Sequence, residues 1–127
     1  MFGGVDMVRV LVADKQPSVR YALNVLLSRL DGVEVVGEAA TLDACEQAVE
    51  QLRPDILLLD WELPGMLGRP SLERLREINA GQKIIAMSGL PGVRFSAVAA
   101  GVNAFINKTE PPDHLLSVIK SYETISS

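Results

Sequence analysis

Ile56-Leu57-Leu58-Leu59 is an uninterrupted aliphatic run closed on both sides by acids, Asp55 and Asp60. It is too short for a helix and does not alternate with polar residues, so it suits a strand buried on both faces. Strands of that kind belong to parallel sheets flanked by helices, which narrows the fold more than any other stretch of the chain. The run stops at Asp60, and Pro64-Gly65 then forces a turn. An acid at the carboxyl end of a central strand sits where open α/β sheets place their ligand crevice. The competing use of Asp60 is to cap that turn, since Asp is a common turn residue.

The rest of the chain alternates around this strand. Arg9–Ala13 reads as a first buried strand ending at Asp14, and Pro17 opens a helix in which Val19, Leu23, Leu26, Leu27 and Leu30 recur at helical spacing until Gly32. Glu34–Ala39 is a second strand, placed at or near an edge by its polar residues. Thr41 is a good N-cap for a helix with Leu42, Cys45, Val49 and Leu52 on one face, ended by Arg53-Pro54. Beyond the central strand, Gly68 opens a third helix with Pro70 in its first turn and Leu72, Leu75 and Ile78 inward, ended by Gly81. Lys83–Met87 is the fourth strand, ending at Ser88-Gly89. Phe95, Val98, Ala99 and Val102 define the face of a short, weakly amphipathic fourth helix interrupted by Gly101. Ala104–Asn107 is the fifth strand, ending at Lys108, and Pro111-Pro112 start a last helix with Leu115, Ile119 and Tyr122 on one face. Ser126-Ser127 is expected as a frayed end.

Five strand–helix units without internal repeats predict an α/β fold, a parallel sheet with five helices on its two faces. The natural strand order is the flavodoxin-like 2-1-3-4-5, whose switch point lies between the first and third strands. A partial barrel is the weaker alternative, since closed barrels of this type run to ~250 residues. The 127 residues, 48% hydrophobic, make one domain with a proper core. Met1–Met7 is expected as a short tail and residues 8–127 as the domain. The net charge of −4 opposes direct nucleic-acid binding, which relies on basic surface. The single cysteine, Cys45, excludes an internal disulfide framework, fits a reducing cytoplasmic location, and is expected to be buried and inert. No apolar run is long enough to span a membrane.

Every notable polar residue falls at the carboxyl end of a strand: Asp14 and Lys15 after the first, Asp60 on the third with Glu62 just beyond, Ser88 on the fourth, Lys108 on the fifth. A parallel sheet brings all these ends to one rim. Each has a plain reading of its own: Asp14 as a helix cap, Ser88-Gly89 as turn chemistry, Lys108 as a strand-end lysine reaching for water. Their joint placement is what points to phosphoryl chemistry. A carboxylate can attack phosphorus and carry an acyl phosphate, while a cation and a hydroxyl donor hold the phosphoryl oxygens.

Over essentially its whole length the chain resembles a receiver domain of two-component response regulators, CheY-like in fold. Val33–Ala39 and Arg53–Asp60 further resemble the subclass that carries a C-terminal LuxR/NarL-type DNA-binding domain. The resemblance implies Asp60 as phosphoacceptor, Ser88 as the hydroxyl on the phosphoryl group with Gly89 as its small neighbour, and Lys108 as the phosphate-pairing lysine. It implies Phe105 as the aromatic switch residue that follows Ser88, and a Mg2+ site formed by Asp14, Asp60 and the backbone carbonyl of Glu62. It also implies a cytoplasmic switch rather than an enzyme. The implied partners are a sensor histidine kinase or phosphotransfer protein, a second copy of the chain through the fourth and fifth units, and a DNA-binding effector domain beyond Ser127.

Two departures stand out. Thr109 follows the lysine where many members have proline, and Lys15 stands where the second acid of the metal site belongs. With Lys15, the charges of Asp14, Asp60, Lys15 and Lys108 cancel, and only an inward Glu62 carboxylate makes the site −1. Mg2+ loses one oxygen ligand and gains a like charge; at an effective dielectric of ~20, unit charges ~4 Å apart repel by roughly 4 kcal/mol. Lys15 either reaches Asp60 and pairs with it, which is the expectation, or points into solvent and leaves a weak Mg2+ site. The alternative function is accordingly a degenerate, phosphorylation-independent receiver that serves as a protein-interaction module. An aspartate-nucleophile phosphatase of the haloacid dehalogenase type is disfavoured, because Asp14-Lys15-Gln16 lacks the second acid of its D-x-D motif.

Overall fold

The computed structural model describes residues 7–126. Ten elements alternate strictly: β1 (Val8–Ala13), α1 (Pro17–Leu27), β2 (Val33–Ala39), α2 (Leu42–Leu52), β3 (Ile56–Asp60), α3 (Arg69–Ile78), β4 (Lys83–Ser88), α4 (Val93–Ala100), β5 (Ala104–Asn107) and α5 (Asp113–Ser126). The strands form one sheet in the order β2-β1-β3-β4-β5. All four pairings are parallel. The flavodoxin-like order is therefore observed, and the open sheet rules out the partial barrel. Of the expected tail only Met7 is described; Met1–Asp6 and Ser127 lie outside the described residues, while Ser126 still belongs to α5.

The central position of β3 follows from its composition. It pairs with β1 on one side and β4 on the other, and all its residues are buried. Alternate side chains feed opposite layers, as the two-residue period of a strand requires. Val10, Val12, Ile56 and Leu58 join Leu23 and Leu27 of α1 and Leu115 and Ile119 of α5 in one core. Leu11, Ala13, Leu57 and Leu59 join Cys45 and Val49 of α2 and Leu72 and Leu75 of α3 in the other. Fully burying one such aliphatic side chain contributes about 1.5–3 kcal/mol, so this strand anchors both layers.

Helix boundaries depart from the spacing in two places. α1 ends at Leu27 rather than running to Gly32, because its last turn tightens into bonds from the N–H of Arg29 to the carbonyl of Leu26 (3.2 Å) and from Leu30 to Leu27 (3.0 Å). Leu30 still packs against the core from that turn. α3 ends at Ile78 before Gly81, because Asn79 becomes extended and its buried side-chain amide donates to the Pro54 carbonyl at 3.0 Å.

α4 shows the larger correction. Of the expected inward face, Val102 packs against the core, but Phe95, Val98 and Ala99 point outward: Phe95 is 84% exposed and Val98 56%. Ala97 is the only residue of α4 that is buried, and Val93 packs beside it. Gly92 (φ 82°) and Gly101 (φ 101°), both left-handed, bracket the helix and set its phase.

Candidate functional site

The carboxyl ends of β1, β3, β4 and β5 deliver Asp14, Asp60, Ser88 and Lys108 to one rim. Asp14 and Asp60 are fully buried and Ser88 is 1% exposed. The Lys108 ammonium lies 2.5 Å from Asp14 Oδ2 and 3.5 Å from Asp60 Oδ1. One lysine thus bridges two buried carboxylates. Buried charges are tolerated when paired and hydrogen-bonded, and both conditions hold here.

Backbone groups complete each carboxylate. The Gln16 N–H donates to Asp14 Oδ1 at 2.9 Å, and the Glu62 N–H donates to Asp60 Oδ1 at 2.9 Å. Asp60 stays at the mouth of the sheet because the ladder continues one residue further, with the Trp61 N–H donating to the Met87 carbonyl at 2.9 Å. Pro64-Gly65 then turns the chain away, Gly65 taking φ 99° and the Met66 N–H bonding the Leu63 carbonyl at 3.0 Å. The other oxygen, Asp60 Oδ2, accepts a long hydrogen bond from the Lys15 N–H at 3.5 Å.

The expected ion pair between Lys15 and Asp60 is not formed. The Lys15 side chain is exposed, and the ammonium that approaches Asp60 belongs to Lys108. Past the end of β1 the Lys15 backbone turns its N–H toward the site, and the buried slot between the acids is already filled by Lys108.

Two features of the site lie beyond what strand-end placement revealed. The first is the Glu62 side chain. Expected as a metal ligand through its backbone carbonyl, with the direction of its carboxylate left open, Glu62 also accepts the hydroxyl proton of Ser88, with both carboxylate oxygens 2.9 Å from Ser88 Oγ. The Leu90 N–H donates to the same Oγ at 3.0 Å. The second is Arg20, in the first half of α1. Its Nη1 donates to the Asp14 carbonyl at 2.6 Å and its Nε to Glu38 of β2 at 3.0 Å, and Asn24 donates to the other Glu38 oxygen at 2.7 Å. This network holds the β1–α1 connection that carries Asp14. The only sequence signal for either was a polar residue near a strand end or in a first helical turn, which is common.

The remaining expected residues fall around the same rim. Phe105 is 7% exposed and packs with Ala86 and Ala97 beneath α4, with the Arg94 guanidinium 5.8 Å from its ring centre. A Cβ on Gly89 would meet Lys108 Cβ and Thr109 Cγ2 at an ordinary 3.8 Å, so the resting packing alone does not demand glycine there. Thr109 shapes the connection to α5, its N–H and hydroxyl both donating to Asn107 Oδ1 at 2.9 and 2.7 Å. Among the described residues no set of three or more acidic, His or Cys side chains is placed to hold a metal. The oxygen donors that do converge are the Asp14 and Asp60 carboxylates, both already turned toward one cation. Such a set fits Mg2+, which uses one or two carboxylates and keeps several waters.

Comparison with known proteins agrees with this geometry. Residues 10–120 match the response regulator receiver domain. The chain is 30% identical over 115 residues to the transcriptional regulatory protein DesR of Bacillus subtilis, covering 91% of this chain and 58% of DesR. It is 30% identical over 112 residues to the nitrate/nitrite response regulator protein NarL of Escherichia coli K12, covering 87% of this chain and 52% of NarL. The chain therefore spans little more than half the length of these relatives. A crystal structure of a LuxR-family two-component response regulator from Aurantimonas superposes with a TM-score of 0.83 at 26% identity, covering 94% of this chain and 86% of that one. With four strand ends gathered around a buried, lysine-paired aspartate and a match along nearly the whole sheet, the chain belongs to the response regulator receiver domain family.

Proposed function

We propose that Asp60 is the phosphoacceptor of this receiver domain and that its acyl phosphate is the signalling state. The observation that carries the reading is the buried Asp60 carboxylate held by Lys108 on one rim with Asp14 and Ser88. Asp60 Oδ1 is fixed by the Glu62 N–H and Lys108, which leaves Oδ2 as the attacking oxygen. Its lone pair forms the new O–P bond while the bond from phosphorus to the donor breaks, and the donor imidazole or carboxylate leaves with that electron pair. Lys108 and the Ser88 hydroxyl hold the phosphoryl oxygens. Mg2+, which receiver domains typically use, would sit on Asp14, Asp60 and the Glu62 carbonyl and neutralise charge between the acceptor and the phosphoryl group.

The proposed donor is a sensor histidine kinase or a phosphotransfer protein. A groove of about 330 Å³ opens beside Lys108 between α1 and the start of α5, lined by Ala22, Leu26, Ile106, Pro111 and Leu115 among others. An apolar helix face seated there would bring a phosphohistidine to the rim. The proposed output is a DNA-binding domain of the LuxR/NarL type in the longer protein, supported by DesR being named a transcriptional regulatory protein. A phosphorylation-independent module held by a Lys15–Asp60 pair loses the contact that would hold it.

The test is labelling with acetyl phosphate in excess Mg2+, read by intact mass. One added phosphoryl group, lost in Asp60→Asn, is the expected result. Undiminished labelling in Asp60→Asn refutes the assignment of Asp60, and no labelling of the unaltered chain favours the phosphorylation-independent reading.

A further inference from the structure

Ser88 has one hydroxyl proton, and in this structure that proton is spoken for. The Glu62 carboxylate takes it, with both oxygens 2.9 Å from Oγ, while the lone-pair side of Oγ accepts from the Leu90 N–H at 3.0 Å. A serine hydroxyl has a single donor to give. A phosphoryl group on Asp60 therefore cannot receive it while Glu62 keeps it. Nor can the two share it, since both are anions and would stand on the same side of Ser88 with one proton between them.

We propose that the Glu62 carboxylate is a removable cover on Ser88. It satisfies the buried hydroxyl in the unmodified protein and must swing away when a phosphoryl group arrives on Asp60. The inference rests on Asp60 being the acceptor and deepens that reading by assigning Glu62 as a positioning residue for it. No covalent bond changes in this exchange: the Ser88 proton stays on oxygen and only its acceptor changes. The backbone of Glu62 need not move. Its N–H remains on Asp60 Oδ1 at 2.9 Å, and the half-buried side chain can rotate toward solvent from that anchor. Glu62 thus has two separable roles, one for its main chain and one for its carboxylate. A hydrogen bond to a charged acceptor is stronger than a neutral one, so the cover slows loading by about tenfold.

The experiment compares initial rates of acetyl phosphate labelling in the unaltered chain, Glu62→Gln, Glu62→Met and Asp60→Asn. Gln keeps an oxygen for the Ser88 hydroxyl without the charge; Met keeps the bulk and offers no oxygen. The expected order is Met fastest, Gln intermediate and the unaltered chain slowest, with Met about tenfold above it. Equal acceleration in Gln and Met overturns the cover, because simple charge repulsion then explains the effect. Equal or slower rates in both variants also overturn it, leaving Asp60 as acceptor intact. Labelling absent from all chains, or retained in Asp60→Asn, removes the acceptor reading itself and the cover with it.

Discussion

Lys108 crosses the rim to reach two buried carboxylates, whereas Lys15, one residue beyond Asp14, leaves its ammonium in solvent. Solvent screens the charge of Lys15, so its main effect on a divalent ion is the oxygen it fails to supply. Trp61, the only tryptophan, adjoins Asp60 and reports on that ion. Its fluorescence is expected to change little at about 1 mM Mg2+, and Lys15→Asp is expected to restore quenching with a gain of about tenfold or more in affinity. Lys15→Met separates the two causes: it stays weak if the missing oxygen dominates and recovers if the charge does. Strong quenching of the unaltered chain sinks the weak-site proposal. Cys45 sits at the opposite extreme of exposure. Burial, with a smaller push from Glu46, raises its thiol from 9.0 to about 12. The folded chain therefore keeps the proton over a range in which the unfolded chain releases it. The stabilisation this provides is complete below pH 9.0 and is lost as pH rises toward about 12. The urea midpoint should fall more between about pH 8 and about pH 10.5 in the unaltered chain than in Cys45→Ala. Parallel falls in both would show that the thiol does not carry the linkage.

Elements whose two faces or one face had a clear destination were legible in the sequence. β3 could be read from four aliphatics because no polar residue left its burial in doubt, and it pairs on both sides as that burial requires. Thr41 announced α2 because its hydroxyl is a capping group, and it does accept the Ala44 N–H at 3.1 Å. α4 defeated the same reasoning. Its eight residues hold three alanines, two valines and a phenylalanine, so almost any phase gives an apolar stripe. The phase is set instead by the left-handed glycines at its two ends, which place Ala97, with Val93 beside it, over Phe105 and Ala86 and turn Phe95 and Val98 outward. Within the site, residues placed by strand ends were legible because a parallel sheet fixes where those ends lie. The Glu62 carboxylate and Arg20 were not, because their roles depend on rotamers and on a loop path that no spacing encodes. The Lys15–Asp60 pair failed for the same reason, since charge complementarity cannot say which of two lysines the backbone aims inward.

At the scale of the molecule, the five helices are unequally anchored. α1 and α5 close one face and α2 and α3 the other, each pair sharing a large core with the sheet. α4 buries a single residue and rests on the small cluster around Phe105, directly behind the β4 strand that ends in Ser88. A change at Ser88 therefore has its shortest mechanical route to the surface through Phe105 and α4. That route ends at apolar side chains: Leu90 is 57% exposed, Phe95 84% and Val98 56%. A second apolar area lies on α1, where Tyr21 is 72% and Val25 38% exposed, but it overlies the core held by α5 and has no comparable link to Ser88. We therefore expect phosphorylation to promote self-association of two copies through the α4 face, part of the fourth and fifth units that the family resemblance implies for a dimer. Sedimentation velocity with and without beryllofluoride should show a shift toward dimer that Phe95→Glu abolishes and Tyr21→Glu leaves in place. Phe95→Glu should still take up acetyl phosphate, because Phe95 touches neither Asp60 nor the groove beside Lys108. The reverse pattern, with dimer lost in Tyr21→Glu and kept in Phe95→Glu, would move the interface to α1 and break the proposed connection between Phe105 and assembly.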